Sequence, residues 1–560
     1  MDDVDAVQAQ IARNMLASGD WVIAHLDGVP YLEKSPLIYW LIATSFRIFG
    51  VHDWAARIPE ALAAILLAWC TWRYGRWAFG NKAGLYAGMA ISTCLGLFLF
   101  TRIQIPDVML TACVCLAFFA FQRAISEEEE HPRRWASLLV GSLGVGLMLK
   151  GLIAAVVPVG GILLYLAITR QLFFTKIWRR LHVVTGALII LAVAAPWHVL
   201  ATLRMPPYFN FSMHSGPGEY HGFFWFYFMN EHVLRFLNLR YPRDYNTVPR
   251  LAFWALHLVW LFPWSIYFPA AFRGGFRPTD RAGRTRLLAV CWAGFLLVFF
   301  TFSTTQEYYS MPIYPALALL LGSAMAEEHR WVKIGTRVLG AIFALCAVAA
   351  TAILLLVRNT PSPGDISRAL QQHPEAYTLS LGHMGDLTMQ SFAYLKLPLL
   401  VAAVAFLSGA LAALLLRNRR AYLAIALSMV LFVHAARLAL VVFDPYLSSR
   451  PLAEALQRSP QGQLIINGEY YAFSSVFFYT NRTALLWNGR VNNLEYGSYA
   501  PGSPPVFIDD SEFLARWGSP ERQYVLSDGD GIIRLNKLVD AARLHLVLES
   551  GGKTLYSNVP

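Results

Sequence analysis

Charge is scarce in this chain. Only 14% of its 560 residues are Asp, Glu, Lys or Arg, while 56% are hydrophobic. Soluble domains carry about a quarter charged residues, so the composition argues against a soluble globular protein. Cysteine is scarce too. Cys70, Cys94, Cys113, Cys115, Cys291 and Cys346 all lie in apolar stretches, and none follows. Cys113 and Cys115 are too close-set for a zinc pair, with no His or Cys at ligand spacing beyond them. They read as small buried hydrophobes, and the long polar tail offers no disulfide. Acids are outnumbered by bases, 35 to 46, for a net charge of +11. No basic run with interleaved aromatics appears, so nucleic acid is not an expected partner. Internal repeats and low-complexity tracts are absent as well.

What is abundant is apolar sequence in blocks of about 17 to 23 residues, the length that crosses a bilayer as a helix. The chain reads as an α-helical polytopic membrane protein with about twelve membrane helices. They lie near 59–78, 83–102, 107–124, 136–149, 151–168, 183–203, 252–273, 287–304, 310–326, 338–357, 394–416 and 422–443. The fourth is short, and its boundary with the fifth falls at Lys150-Gly151. The stretch 36–50 is too short to span and is expected at the interface.

The loops set the orientation. GNK, SEEEEHPRRW, RQLFFTKIWRRLH, RGGFRPTDRAGRTR, EEHRWVKIGTR and RNRR are rich in Lys and Arg, whereas the alternate turns IQIP and STTQEYY hold none. Positive loops face the cytoplasm. Segments 1–58, 204–251 and 358–393 then lie outside, together with everything after 444. Three regions follow: an outer loop with interfacial helices over 1–58, a membrane domain over 59–443, and a soluble α/β domain over 444–560. In the last, QLIING, SVFFYT, PVFIDD, YVLSD and LHLVLES are strand-like and separated by turn formers.

Chemistry-bearing residues gather on the outer side. Asp2, Asp3 and Asp5 precede a candidate amphipathic helix. Tyr31, Glu33 and Lys34 stand just before an apolar segment. Glu231, His232 and Arg235 sit in FMNEHVLRF, where Glu231 and Arg235 would share a helix face. Taken singly, each has a bland reading: a solvated terminus, an interfacial anchor, an exposed helix pair. Together, a carboxylate that takes a proton from an attacking hydroxyl and a cationic clamp for phosphate oxygens suit group transfer from a lipid-linked phosphate.

The blocks IARNMLASGDWV, DGVPYLEKSPLIYW, FGVHDWAARIPEAL, RIQIPDVML, GLMLKGLIAAVVP, NEHVLRF and EYYSMPIYPALALL resemble the protein O-mannosyltransferase and aminoarabinose transferase family, in particular its bacterial ArnT-like members. The resemblance implies a GT-C fold and an inverting glycosyltransferase. It would use a polyprenyl (undecaprenyl) phosphate sugar as donor and work on the periplasmic face of the bacterial inner membrane. The acceptor is left open among lipid A, another glycan and protein.

By the resemblance, Asp2 or Asp3 is the catalytic base. Tyr31, Lys34, Tyr309 and Arg235 bind the donor phosphate, and Asp107 and Glu231 support them. A divalent cation is left open, with Glu33 and His232 as its candidate ligands; no cofactor is required. Gln306-Glu307 stands where many relatives have a lysine, and Asp5 or Ala6 stands where relatives commonly have an arginine three residues after the acid, so the sugar is unassigned. Relatives carry a membrane helix before the acids, and a helix missing upstream of Met1 is expected here. Two rival functions remain: a lipid-linked sugar transporter and a non-catalytic lipid-binding assembly protein. The spans hold few charges, which disfavours the transporter.

Overall fold

A computed structural model describes residues 1–243, 247–371 and 382–560. Parts of two expected outer segments, 244–246 and 372–381, lie outside them.

The first element, α1 (Asp3–Ser18), starts at Asp2, whose side chain accepts the Asp5 N–H, and stops at Gly19 with φ 72°. Such an N-cap and left-handed C-cap are the usual helix ends. Ala6, Ala9 and Ala12 recur on one buried face, and their small size lets neighbouring elements approach closely. A two-stranded hairpin follows, β1 (Ala24–Leu26) and β2 (Val29–Tyr31). Next comes α2 (Leu37–Phe49), whose Ile38, Ile42 and Phe46 are buried at helical spacing. At 13 residues it is too short to span, as its sequence implies.

The membrane part begins with α3 (Asp53–Phe79), α4 (Asn81–Thr93), α5 (Leu95–Arg102), α6 (Asp107–Ile125), α7 (Pro132–Lys150), α8 (Ile153–Ile168), α9 (Thr175–Leu181) and α10 (Val183–Arg204). Among the described residues, eight helices are long and apolar enough to cross a membrane, or up to ten if each of two bent pairs is one span. One bent pair is α4 with α5, at 44°; the other is Arg250–Trp260 with Trp264–Ala271, at 98°. The two further segments in the expected twelve are α7 and α8. Neither meets the length and composition that the others meet, so twelve spans is more than these helices support. Outward apolar side chains such as Leu188, Leu345 and Leu427 are 62–70% exposed, as lipid-facing residues should be.

Beyond the last long helix, Asn418–Leu447, lies a six-stranded sheet. It comprises β3 (Gln463–Asn467), β4 (Ala484–Trp487), β5 (Phe507–Ile508), β6 (Gln523–Ser527), β7 (His545–Ser550) and β8 (Lys553–Ser557), in the order β5-β4-β3-β6-β8-β7. The first four are parallel, and β8 and β7 add an antiparallel edge. Central β3 and β6 are almost wholly buried, the mark of a sheet covered on both faces.

This sheet domain grips the start of the chain. Asp3 is buried, and its carboxylate accepts from Ser475 N at 2.8 Å, Ser449 Oγ at 2.9 Å and Lys553 Nζ at 2.7 Å. Arg13 donates to the Phe478 carbonyl at 2.6 Å. Removing one partner of a buried ion pair costs about 3–5 kcal/mol, because the other charge is stranded. Lys553→Met should therefore lower stability by about that much in detergent unfolding. Asp3→Asn combined with it should cost less than the sum of the two single changes.

A second buried carboxylate sits at the hairpin tip. Asp27 Oδ1 accepts Ala484 N–H at 3.2 Å, while Oδ2 is buried without a hydrogen bond. Burial pushes its pKa up to about 7. A carboxyl raised in the fold costs nothing below its unfolded value near 4. The cost grows as pH rises from there and is complete above about 7. Asp27 has φ 49°, a conformation Asn adopts readily. Asp27→Asn should raise the unfolding temperature at pH 8 and flatten its fall between pH 4 and 8. A pH profile unchanged by the substitution would contradict this.

Candidate active site

Strand β2 brings Tyr31 to the inner surface, and the chain then turns through Glu33 and Lys34 before α2 begins. Glu33 gathers partners from three parts of the fold. Its Oε1 is ion-paired with Lys34 and lies 3.6 Å from Arg235 Nη1. Its Oε2 accepts from Tyr31 OH at 2.6 Å and from Asn493 Nδ2 at 2.5 Å. Burial works against its charge, but Lys34, Arg240 and Arg235 outweigh it and hold the carboxyl well below the usual range. Burial likewise opposes charge on Lys34, but Glu33 prevails and raises the ammonium above its ordinary value. Both are charged at neutral pH.

The second contributor is a π-helical stretch, Trp225–Leu234. Wide turns of this kind occur often at functional sites. Glu231 accepts from Arg235 at 2.6 Å and from Arg240 at 2.5 Å. Glu231 and Arg235 meet at i and i+4 although the intervening turn is wide. His232 is differently employed: Nδ1 bonds the Tyr227 carbonyl at 2.6 Å, and Nε2 accepts Leu152 N–H at 3.1 Å. Burial pushes its pKa down, so it is the neutral imidazole these two bonds require. Gly151 explains how His232 comes so close to the break between α7 and α8. With φ 70° at that position, a Cβ would meet His232 Nε2 at 2.3 Å.

Glu33 and His232 thus do not make a metal pair. Both imidazole nitrogens are taken by backbone, and Glu33 is held by cations and hydrogen-bond donors. Among the described residues, no group of three or more His, Cys, Asp or Glu could hold a metal.

The third contributor is Lys150, at the end of α7. It donates to Asp107 Oδ1 at 2.5 Å and lies 4.9 and 5.0 Å from the ring centres of Tyr308 and Tyr309. Arg235 lies 6.0 Å from the centre of the Tyr309 ring. Lys34, Asp107, Lys150, Glu231, Arg235 and Tyr309 all line one cavity of about 420 Å³. The rest of its wall is largely apolar, including Leu110, Ile153, Val156, Phe236, Phe299 and Phe300. Such a cavity pairs a cationic head with a greasy body, the shape of a lipid phosphate site.

The acids at the chain start do not line this cavity, and each has a different task. Asp3 is committed to Lys553. Asp2 Oδ2 accepts from Arg102 at 3.1 Å. Asp5, which sequence reasoning passed over as a candidate, is fully buried, ion-paired with Arg57, and accepts Gln104 N–H at 2.6 Å. Burial and the adjacent Asp2 charge raise its pKa to about 7. Lys150 was also missed; the break at Lys150-Gly151 marked it only as a boundary. Arg240 and Asn493 gave no sequence signal, because their partners are far away in the chain.

Residues 33–199 match the family described as dolichyl-phosphate-mannose-protein mannosyltransferase. The chain is 29% identical over 362 residues to an undecaprenyl phosphate-alpha-4-amino-4-deoxy-L-arabinose arabinosyl transferase of Aeromonas salmonicida, covering 62% of this chain and 61% of that one. It is 31% identical over 355 residues to a similarly named protein of Sodalis glossinidius, covering 61% and 58%. The matched region therefore spans about three fifths of each relative. The crystal structure of ArnT from Cupriavidus metallidurans bound to undecaprenyl phosphate superimposes with a TM-score of 0.78 at 22% identity, over 99% of this chain and 93% of that one. Its apo form gives 0.75 at 21% identity. In fold the chain is similar to ArnT, a multi-pass membrane architecture of GT-C type, and in sequence it is similar to the protein mannosyltransferase family over residues 33–199 and to arabinosyl transferases over about three fifths of its length.

Proposed function

We propose that the protein is an inverting glycosyltransferase of the bacterial inner membrane, with its site on the periplasmic side. It takes a sugar from undecaprenyl phosphate and delivers it to an envelope acceptor: lipid A, another glycan or a protein. The observation that carries this reading is the cavity in which Lys34, Arg235 and Tyr309 meet an apolar wall. The polyprenyl chain fits the wall, and the phosphate fits the cationic end. The names of the relatives, arabinosyl transferases using an undecaprenyl phosphate sugar, agree.

In this reaction the acceptor oxygen attacks the anomeric carbon. The bond from that carbon to the phosphate oxygen breaks, and polyprenyl phosphate leaves with the electron pair. Negative charge grows on the leaving phosphate, where Lys34 and Arg235 stabilise it more strongly than in the bound donor. Asp2, partly exposed and kept near Arg102, receives the acceptor proton, with Asp5 behind it. One displacement inverts the sugar configuration.

The test is transfer from radiolabelled undecaprenyl-phosphate sugars into an envelope extract by the purified protein. Label reaching an extract component identifies the acceptor. Donor binding with no transfer from any sugar would reject the catalytic reading.

A further inference from the structure

Helix Asn492–Ser498 belongs to the sheet domain, between β4 and β5, yet it reaches residues that border the donor cavity. It lies against β2 so closely that a Cβ on Gly497 would meet the Pro30 carbonyl oxygen at 2.0 Å. Tyr496 stacks on Phe226 of the π-helical stretch with ring centres 4.2 Å apart. Between these contacts, Asn493 bridges two charges. Its Nδ2 donates to Glu33 Oε2 at 2.5 Å, and its Oδ1 accepts from Arg240 Nη2 at 2.6 Å.

The bridge completes a run of contacts around the site. Glu33 holds Lys34, Arg240 holds Glu231, and Glu231 holds Arg235, which returns to within 3.6 Å of Glu33. Arg240 and Asn493 are both buried, so their hydrogen bonds are not readily replaced by water. Two of the three cations that line the cavity, Lys34 and Arg235, are therefore shared with Glu33 and Glu231, while Lys150 is paired with Asp107. A donor phosphate must draw Lys34 and Arg235 away from these carboxylates. Glu33 then depends more heavily on Tyr31 and Asn493 to stay charged and in place.

We propose that Asn493 is a positioning residue through which the C-terminal sheet domain sets the phosphate affinity of Lys34 and Arg235. The domain is then a working part of the donor site. This rests on the donor-site reading above. Asn493 does not touch the phosphate; it acts through Glu33 and Arg240.

The test is a double-mutant cycle on binding of undecaprenyl phosphate to the full-length protein in detergent, with Lys34→Ala and Asn493→Leu. Wild type should bind, and Asn493→Leu should weaken binding on the order of tenfold, the effect of one charge-assisted hydrogen bond. In the Lys34→Ala background Asn493→Leu should change binding less than twofold, because coupled residues are non-additive. Asn493→Asp provides a variant whose domain stays seated. Its carboxylate keeps Arg240 but faces Glu33, and it draws Lys34 and Arg235 toward acid and away from phosphate. It too should weaken binding while the unfolding temperature holds.

Wild-type affinity in both Asn493 variants would overturn the proposal and leave the donor site standing. Full additivity with Lys34→Ala would also overturn it, by showing a general structural role. Failure of the wild type to bind undecaprenyl phosphate would overturn the donor-site reading and this inference together.

Discussion

Lys34→Ala should reduce transfer by about a hundred- to a thousandfold, the typical cost of removing one preorganised group from a developing negative charge. The fold should survive, because Glu33 retains Tyr31 and Asn493 and keeps the charges of Arg240 and Arg235 beside it. The loss should appear in kcat as well as in donor KM. The leaving phosphate carries more charge than the bound diester, so Lys34 contributes most at the transition state. Lys34→Arg should restore little, because a branched guanidinium is no match for a compact ammonium packed against Glu33. Steady-state rates at varied donor, with unfolding temperature measured alongside, check this. Near-wild-type kcat in Lys34→Ala would remove the lysine from the phosphate clamp.

Asp2→Asn should cost about a hundred- to ten-thousandfold in transfer, the range for loss of a positioned general base, with donor binding retained. The amide oxygen can still accept Asp5 N–H, so the start of α1 is kept. Loss of the neighbouring charge should also lower the Asp5 pKa from about 7, since Asp2 is one of the causes that raise it. Asp3→Asn makes the contrasting case. It strands Lys553 and should show first as instability, with transfer per folded molecule less affected. If Asp3→Asn abolished transfer in a stable protein while Asp2→Asn did not, the roles of the two acids would be exchanged.

Features with a local period were legible in the sequence. Apolar blocks gave the membrane segments, and turn formers set off four of the tail's six strands; SVFFYT instead folds as a helix over Ser474–Thr480, and β4 and β8 were not marked. The count of spans was less legible, because α7 is long enough but begins on Pro132, Arg133 and Arg134, α8 is only 16 residues long, the two meet at a glycine, and two other segments bend within themselves. In the site, Lys34 and Tyr309 belong to blocks that resemble a known family, and the fold brings both to one cavity, whereas Tyr31 does not line it and reaches it only through its hydrogen bond to Glu33. Ion pairs between distant residues leave no such trace. Nothing near Asp3 points to Lys553, and nothing near Asn493 points to Glu33 or Arg240. The candidate metal pair Glu33 and His232 is engaged elsewhere for a related reason: the α7–α8 break, distant in sequence, supplies the Leu152 N–H that occupies the second nitrogen of His232.

The bond between Asp3 and Lys553 joins residues 550 positions apart. A ribosome adding roughly 5–20 residues per second needs on the order of half a minute to two minutes to make the second partner after the first. During that interval Asp3 has no cation for its carboxylate, although Asp5 already has Arg57. The Asp3 carboxylate thus waits without its cation until nearly the whole chain has been made. Any chaperone or protease that meets the growing chain meets this pair unfinished. A chain cut short anywhere before β8 remains in that state.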